Sequence, residues 1–515
     1  MLASLVGGQA AAGLILRGAW DIWAQSAVLL ILIVGAALFL GAAVLRGRMP
    51  LPSRSPLVWA AALTALSLLS ALAGPVPAYS LPCWAAASAG LLLFPSATLL
   101  SSEQRVRVEK FIYAAAWALV LLAVYQRRSG MPRPPSALLN PNAFAGAILL
   151  LLPVAARRKD WVLAAGLLVC LWWTRSVGGW LGLSAAVLLH RRSVGPAAFW
   201  AGAAVGSAGL VAAYAKLHSP EVLHRVEWWT AAWRMAASAP WLGLGPGSFA
   251  YALPAHVAAR PELNSLYAHS HFLETAAEKG WPYLVVWVVG LASMLRRAAP
   301  SRRFGPVAAI AHGLVDYPLS VPGVFWLFCL STALCLPESE EGVAVRGSRK
   351  LPWTASTLVL AWLAASWTLG NWRADRLRAQ AVESLSSGGA SDAAESSLAS
   401  SEALRPHPEA ARLRAQLILS RAGQGDPSLL AAAASHLERA VSMDPYRASN
   451  WLILERIYSR LGRSADAAAV RARGARACPT QRGGASGGAP SVLAPRLRPR
   501  RSWRRASWPC SSRSG

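Results

Sequence analysis

Acidic side chains are scarce in this chain: 24 Asp and Glu stand against 51 Lys and Arg, for a net charge of +27. Cysteine is scarcer still, at six, with no Cys-x-x-Cys pair and no Cys/His spacing suited to a metal. No disulfide framework, metal site or cofactor is therefore expected. No cleavable leader is expected either, because residues 1–15 have no basic start, and the first long apolar run reads as a signal-anchor. Gly243, Gly245 and Gly247 follow no strand, which argues against a nucleotide-binding turn. Ionisable groups are nearly missing from the apolar runs, whereas a transporter would carry them there.

What the chain has in abundance is apolar sequence. Hydrophobic residues make up 55% of it, with 24 Trp. Runs approaching the roughly 20 residues that span a bilayer recur from residue 25 to 370. They lie near 25–45, 56–73, 80–100, 109–125, 143–156, 160–174, 178–190, 195–216, 281–295, 305–316, 321–336 and 353–370. The expected fold is all-α: a polytopic transmembrane bundle of about 12 spans.

The basic excess is not spread as a nucleic-acid partner requires. It gathers in alternate short loops, at Arg46 and Arg48, Arg105 and Arg107, Arg157 and Arg158, Arg191 and Arg192, and Arg296 to Arg303. By the positive-inside rule these loops face the cytoplasm. The long polar loop at about 217–280 and everything after Gly370 then face the periplasm, across a bacterial inner membrane. With twelve spans the N-terminus is also outside; if residues 2–16 insert, it is inside.

After Gly370 the composition turns to Ala, Leu, Arg, Glu and Ser with helical periodicity. A 34-residue register places Trp451, Leu454, Tyr458, Ala467 and Pro479 at tetratricopeptide signature positions. Ala433, Leu437, Ala440 and Pro445 fit a preceding unit, and Ala394, Leu398 and Pro406 a weaker one. Glu455, Arg471 and Gly474 depart from the pattern, and a generic helical bundle is the alternative. Residues 371–481 are thus read as TPR-like repeats with a protein partner. Residues 482–515 read as a disordered basic tail whose abrupt onset suggests a shifted reading frame.

Five polar segments fall on the outer side of this topology. They are Asn140-Pro141-Asn142, Thr174-Arg175-Ser176-Val177-Gly178-Gly179, the run from Arg225 through Trp228 and Trp229 to Pro240–Phe249, His269-Ser270 with Gly280 and Tyr283, and Asp316-Tyr317-Pro318. Imidazole titrates near neutrality, so His269 at a membrane–water boundary suits a proton acceptor, and capping the next helix is the alternative. His271 points to another helix face and reads as structural. Arg225 suits a phosphate contact or a loop ion pair. The Trp cluster suits an interfacial belt first, and Asp316 either orients a cation or ends a span.

The ordered set resembles the O-antigen ligase and polymerase superfamily. Its signature is a long periplasmic loop ending in His-Asn/Ser/Gln, nine residues, Gly, two residues, then Gly, Thr or Tyr. His269-Ser270, Gly280 and Tyr283 satisfy it. The resemblance implies metal-independent transfer of a glycan from an undecaprenyl-diphosphate carrier to an acceptor hydroxyl. It implies His269 as the base and Arg225 and Arg175 as contacts to the diphosphate, with Ser270, Gly280, Asn142 and Asp316 in support. Relatives usually read Thr-x-Ser-Arg-Gly-Gly at the second segment; Val177 stands at that arginine here, with Arg175 two residues earlier.

The acceptor stays open among a lipid A–core glycolipid (ligase), a lipid-linked glycan (polymerase) and a protein hydroxyl (protein O-oligosaccharyltransferase). A member inactivated by Val177 also stays open. The alternative from another class is a non-catalytic scaffold or lipid-glycan transporter.

Overall fold

The computed structural model describes residues 1–190, 195–215, 220–257, 265–339, 342–345, 347–386, 391–421 and 426–478. Two compact units are present, residues 1–369 and the chain from Gly370 onward.

The first unit opens with α1 (Leu2–Ile15), α2 (Ile22–Leu45), α3 (Arg54–Ala73), α4 (Pro77–Leu91) with its continuation α5 (Leu93–Thr98), and α6 (Ser102–Arg128). Of these, α2, α3, the α4–α5 pair and α6 are long and apolar enough to cross a membrane. The α2 helix is apolar on every face yet exposes Ile31, Val34, Leu38 and Leu45. Such a helix is stable where lipid, not water, is the solvent. Shorter elements follow: α7 (Pro141–Arg157), α8 (Trp161–Thr174), α9 (Val177–Leu189), α10 (Pro196–Ala215), α11 (Pro220–Ser238) and α12 (Phe249–His256). The last three are α13 (His271–Arg297), α14 (Pro300–Val315) and α15 (Pro322–Ala333). Proline opens α7, α14 and α15, where a missing N–H costs nothing. Ser101 and Gln104 close a capping box ahead of α6.

The core gathers Phe94, Phe144, Trp287, Trp326 and Phe328, all essentially excluded from solvent. The α1 helix belongs to it: Ala3, Val6, Ala10 and Leu14 are buried, and the helix packs on α6 and α15. Residues 2–15 therefore form a packed helix of the bundle. One departure from an all-helical reading is a small antiparallel ribbon, β1 (Arg48–Pro50) paired with β2 (Gly342–Ala344).

The α16 helix (Gly347–Ser386) carries the chain into the second unit. There α17 (Ser391–Leu404), α18 (Pro408–Arg421), α19 (Pro427–Met443), α20 (Ala448–Arg460) and α21 (Ser464–Ala477) each pack on the next. Ala433, Leu437, Ala440, Trp451, Leu454, Tyr458 and Ala467 are buried, as are Ala394 and Leu398. Glu455, Arg471 and Gly474, which depart from the expected repeat, make local contacts of their own. Arg471 Nε donates to Glu455 at 2.8 Å, so the two charges satisfy each other. Gly474 lies where an added Cβ would come within 2.9 Å of Trp451 Cβ, so α20 and α21 approach closely there. Pro479 and the tail at 482–515 lie outside the described residues.

Candidate active site

The site forms where α14 ends, α13 begins and α11 passes across. Asp316 follows the last turn of α14 in extended conformation. Its side chain is 1% exposed, yet both oxygens are engaged. His269 Nδ1 lies 3.1 Å from Oδ1, and Arg225 Nη2 donates to Oδ2 at 3.2 Å. The Tyr317 N–H also donates to Oδ1, at 2.9 Å. Burial alone would raise this carboxyl's pKa. The hydrogen bond from His269 and the charge of Arg225 outweigh burial and hold it well below the usual carboxylate range.

His269 is not the helix cap. Ser270 is the N-cap of α13, and His269 precedes it in the left-handed region at φ 54°. That uncommon backbone turns the ring away from the helix and onto Asp316. The ring is stacked on Trp228 at 4.7 Å and meets Tyr317 edge-on at 4.8 Å. Trp229 Nε1 holds the His269 carbonyl at 3.0 Å. With Nδ1 donating to a carboxylate, Nε2 is the nitrogen left to accept a proton. The side chain is 16% exposed, so solvent or a bound group reaches it.

Buried Glu274 fixes the peptide just before His269. Its Oε2 accepts from the Ala268 N–H at 2.7 Å. Burial, and then the neighbouring Glu278, push its pKa up to about 8. His271 is buried against Trp287 and Phe325, and burial lowers its pKa to about 3, as a structural residue requires.

Gly280 interrupts α13 at φ 81°, ψ 167°, a conformation that only glycine adopts without strain. An added Cβ there would fall on the Trp241 carbonyl. The interruption, with Pro282 after it, leaves helical carbonyls without their usual donors. The loop from Pro240 to Gly247 supplies replacements. Leu244 N donates to Ala277 O at 3.0 Å, Gly245 N to Glu278 O at 2.8 Å, and Trp281 N returns to Pro240 O at 2.9 Å. The glycine-rich run and the Gly280 position are thus two halves of one backbone junction.

The other expected residues are placed separately. Arg225 donates from Nη1 to the Val315 carbonyl at 2.7 Å as well as to Asp316, so both terminal nitrogens are engaged. Arg175 is the exposed, left-handed C-cap of α8, with no side-chain hydrogen bond among the described residues. Asn142 is half-buried in the first turn of α7, where Asn140 Oδ1 accepts its N–H at 2.8 Å. Neither touches His269. Still, α7 packs on α14 and on the turn after Asp316, and a Cβ at Gly178 would meet His312 and Val315 at 2.7 and 3.3 Å. The starts of α7 and α9 therefore border the end of α14.

Two residues escaped the sequence reading. His312, one turn before Asp316, is fully buried, with neither ring nitrogen hydrogen-bonded. Its i,i+4 spacing from Asp316 was a legible signal. Arg133 reaches the α8–α9 turn, and nothing in its flanking sequence foretells that contact. Among the described residues, no three His, Cys, Asp or Glu side chains are grouped to hold a metal ion.

These features define a multi-pass helical membrane protein with a His–carboxylate–guanidinium site built from helix ends. Residues 143–288 match the family model described as O-antigen ligase. The matched segment contains Arg175, Arg225, His269, Ser270 and Gly280; Asn142 and Asp316 lie just outside it. The likeness points to glycosyltransferase-type chemistry. No curated protein matches the chain.

Proposed function

We propose that the protein transfers a glycan from an undecaprenyl-diphosphate carrier to an acceptor hydroxyl at the periplasmic face, as an O-antigen ligase does. The observation that carries this reading is the line Arg225–Asp316–His269, assembled from three elements distant in sequence. The acceptor oxygen bonds to the anomeric carbon as that carbon's bond to the diphosphate breaks. The hydroxyl proton passes to His269 Nε2, and the diphosphate leaves with the electron pair. Asp316, kept ionised by its hydrogen bond with His269 and by the charge of Arg225, orients the imidazole and stabilises the imidazolium that forms. Trp228 and Tyr317 hold the ring against rotation.

Arg225 retains Nε and its net charge for the leaving group, but its first duty is to Asp316. Arg175, exposed at the end of α8, is assigned to the diphosphate. Asn142 and Ser270, at the starts of α7 and α13, are assigned supporting roles. The protein lies in the bacterial inner membrane, and the helical unit after Gly370 serves as a periplasmic TPR-like platform for a protein partner. Charged groups clustered at helix ends favour chemistry at the membrane surface over transport.

The test is transfer from an undecaprenyl-diphosphate glycan in membranes carrying wild-type protein or His269→Ala at equal expression, with glycolipid, lipid-linked glycan and protein acceptors supplied in parallel. Product on the glycolipid acceptor, absent from the variant, is the expected result. Product on another acceptor alone would reassign the protein to polymerisation or protein glycosylation. No product on any acceptor would leave the scaffold reading in its place.

A further inference from the structure

We propose that a cleft between α6, α7, α14 and α15 binds the phosphodiester headgroup of an anionic membrane phospholipid such as phosphatidylglycerol. The cleft lies at the end of α14 opposite the candidate active site. Arg302 stands in the first turn of that helix and Asp316 just past its last, so roughly 20 Å of helix separates them. The cleft encloses about 390 Å³, within the roughly 300–1,000 Å³ of small-ligand sites. Pro153, inside α7, and Pro306, inside α14, both line it, and each withdraws a helical N–H and bends its helix. At Gly305 the two helices are in contact: an added Cβ would lie 3.3 Å from both Leu149 O and Pro153 Cγ.

Three charged side chains line the cleft: Glu109 from α6, Arg157 from α7 and Arg302 from α14. Arg157 Nη2 donates to Glu109 Oε1 at 2.9 Å, and Arg302 Nη1 donates to the Leu334 carbonyl at 2.8 Å. These bonds hold both guanidiniums in place. Each keeps Nε and its other terminal nitrogen without a bond among the described residues. Two guanidiniums against one carboxylate leave one positive charge, which matches the single negative charge of a phosphodiester. Arg105 is close by but fully committed: it is buried and donates to the carbonyls of Leu100, Leu334 and Leu336.

The rest of the lining identifies the anion as a lipid. Ile112, Leu150 and Val154 wall the cleft, and α6 is long and apolar enough to cross the membrane beside it. A free phosphate leaves such walls facing water, whereas a phospholipid covers them with its glycerol and first methylenes. The short loops at this end, with Arg105, Arg107, Lys110, Arg157, Arg158 and Lys159, concentrate anionic lipid in the adjoining leaflet.

The test is native mass spectrometry of the full chain in dodecyl maltoside micelles, titrated with dioleoylphosphatidylglycerol or dioleoylphosphatidylcholine. The first phosphatidylglycerol is expected to bind about 10-fold tighter than phosphatidylcholine, and Arg302→Gln should weaken it about 10-fold. Glu109→Gln should tighten it about 2- to 5-fold, because Arg157 no longer shares its charge with a carboxylate. Were the cluster purely structural, loss of either partner would instead weaken binding. Arg107→Gln, exposed on α6 and outside the lining, should leave binding unchanged. Equal binding of the two lipids, equal losses in Arg302→Gln and Arg107→Gln, or weaker binding by Glu109→Gln would each overturn the assignment. So would displacement of phosphatidylglycerol by inorganic phosphate, which would make the ligand a soluble anion.

Discussion

Replacing Asp316 with Asn changes one atom of a buried side chain and separates its two duties. The amide keeps the size and accepts one hydrogen bond, but it carries no charge for the imidazolium that forms as His269 takes a proton. In Ser-His-Asp enzymes the equivalent loss lowers kcat by roughly 10⁴. Here His269 keeps a second set of restraints from Trp228, Tyr317 and the Trp229 bond to its carbonyl. A loss of about 10²–10⁴ in kcat with little change in KM is therefore expected. Stability falls too, because Arg225 loses its carboxylate. Breaking a buried pair costs about 3–5 kcal/mol, and the 27% exposure of Arg225 brings the expectation to about 1–3 kcal/mol. The pH dependence has a fixed sign. The folded pKa of Asp316 is depressed, so its contribution is present above the ordinary value of 3.8 and is lost as pH falls toward the folded value. The assay is single-turnover glycan transfer in nanodiscs alongside thermal unfolding from pH 3 to 8. A variant that transfers within threefold of wild type would refute the role of Asp316.

Gly280→Ala places a Cβ against the Trp241 carbonyl at φ 81°; a stability loss of at least about 2 kcal/mol is expected, read as a lowered unfolding temperature. Glu274 has its pKa raised to about 8 against an ordinary 4.5, so the folded state keeps a proton that the unfolded state releases. Stability should therefore fall as pH rises from 4.5 to 8, and Glu274→Gln should flatten that slope in unfolding scans; an unchanged slope would contradict it. Trp229→Phe removes the donor to the His269 carbonyl, and a transfer rate about 2- to 10-fold lower with unchanged donor binding is expected. Unaltered transfer would show that the carbonyl needs no anchor.

The helical class was legible because apolar runs and proline helix starts are local signals, as in α2 and α7. His269 was singled out through its spacing to Gly280, although the reason for that spacing was not legible. The structure supplies the reason: Gly280 opens the backbone junction that the Pro240–Gly247 loop closes. Contacts between distant elements were not legible. Arg225 could be read as a phosphate ligand or an ion pair with equal right, and only the arrival of Asp316 from α14 engages it as the latter. Arg133 looked like one more loop charge, because its contact with Thr174 bridges two loops that sequence separates by 41 positions. Helix boundaries also shifted: α11 and α12 occupy part of what reads as a long polar loop, and both pack on α13.

The central claim is that His269, held by Asp316, takes the acceptor's proton. Its most direct test is single-turnover transfer by purified His269→Ala in nanodiscs, with and without added imidazole, with donor binding measured on the same sample. The expected result is a rate lowered by about 10²–10⁴ with donor binding intact, partly restored by imidazole acting as the missing base. Transfer by the variant at the wild-type rate would contradict it.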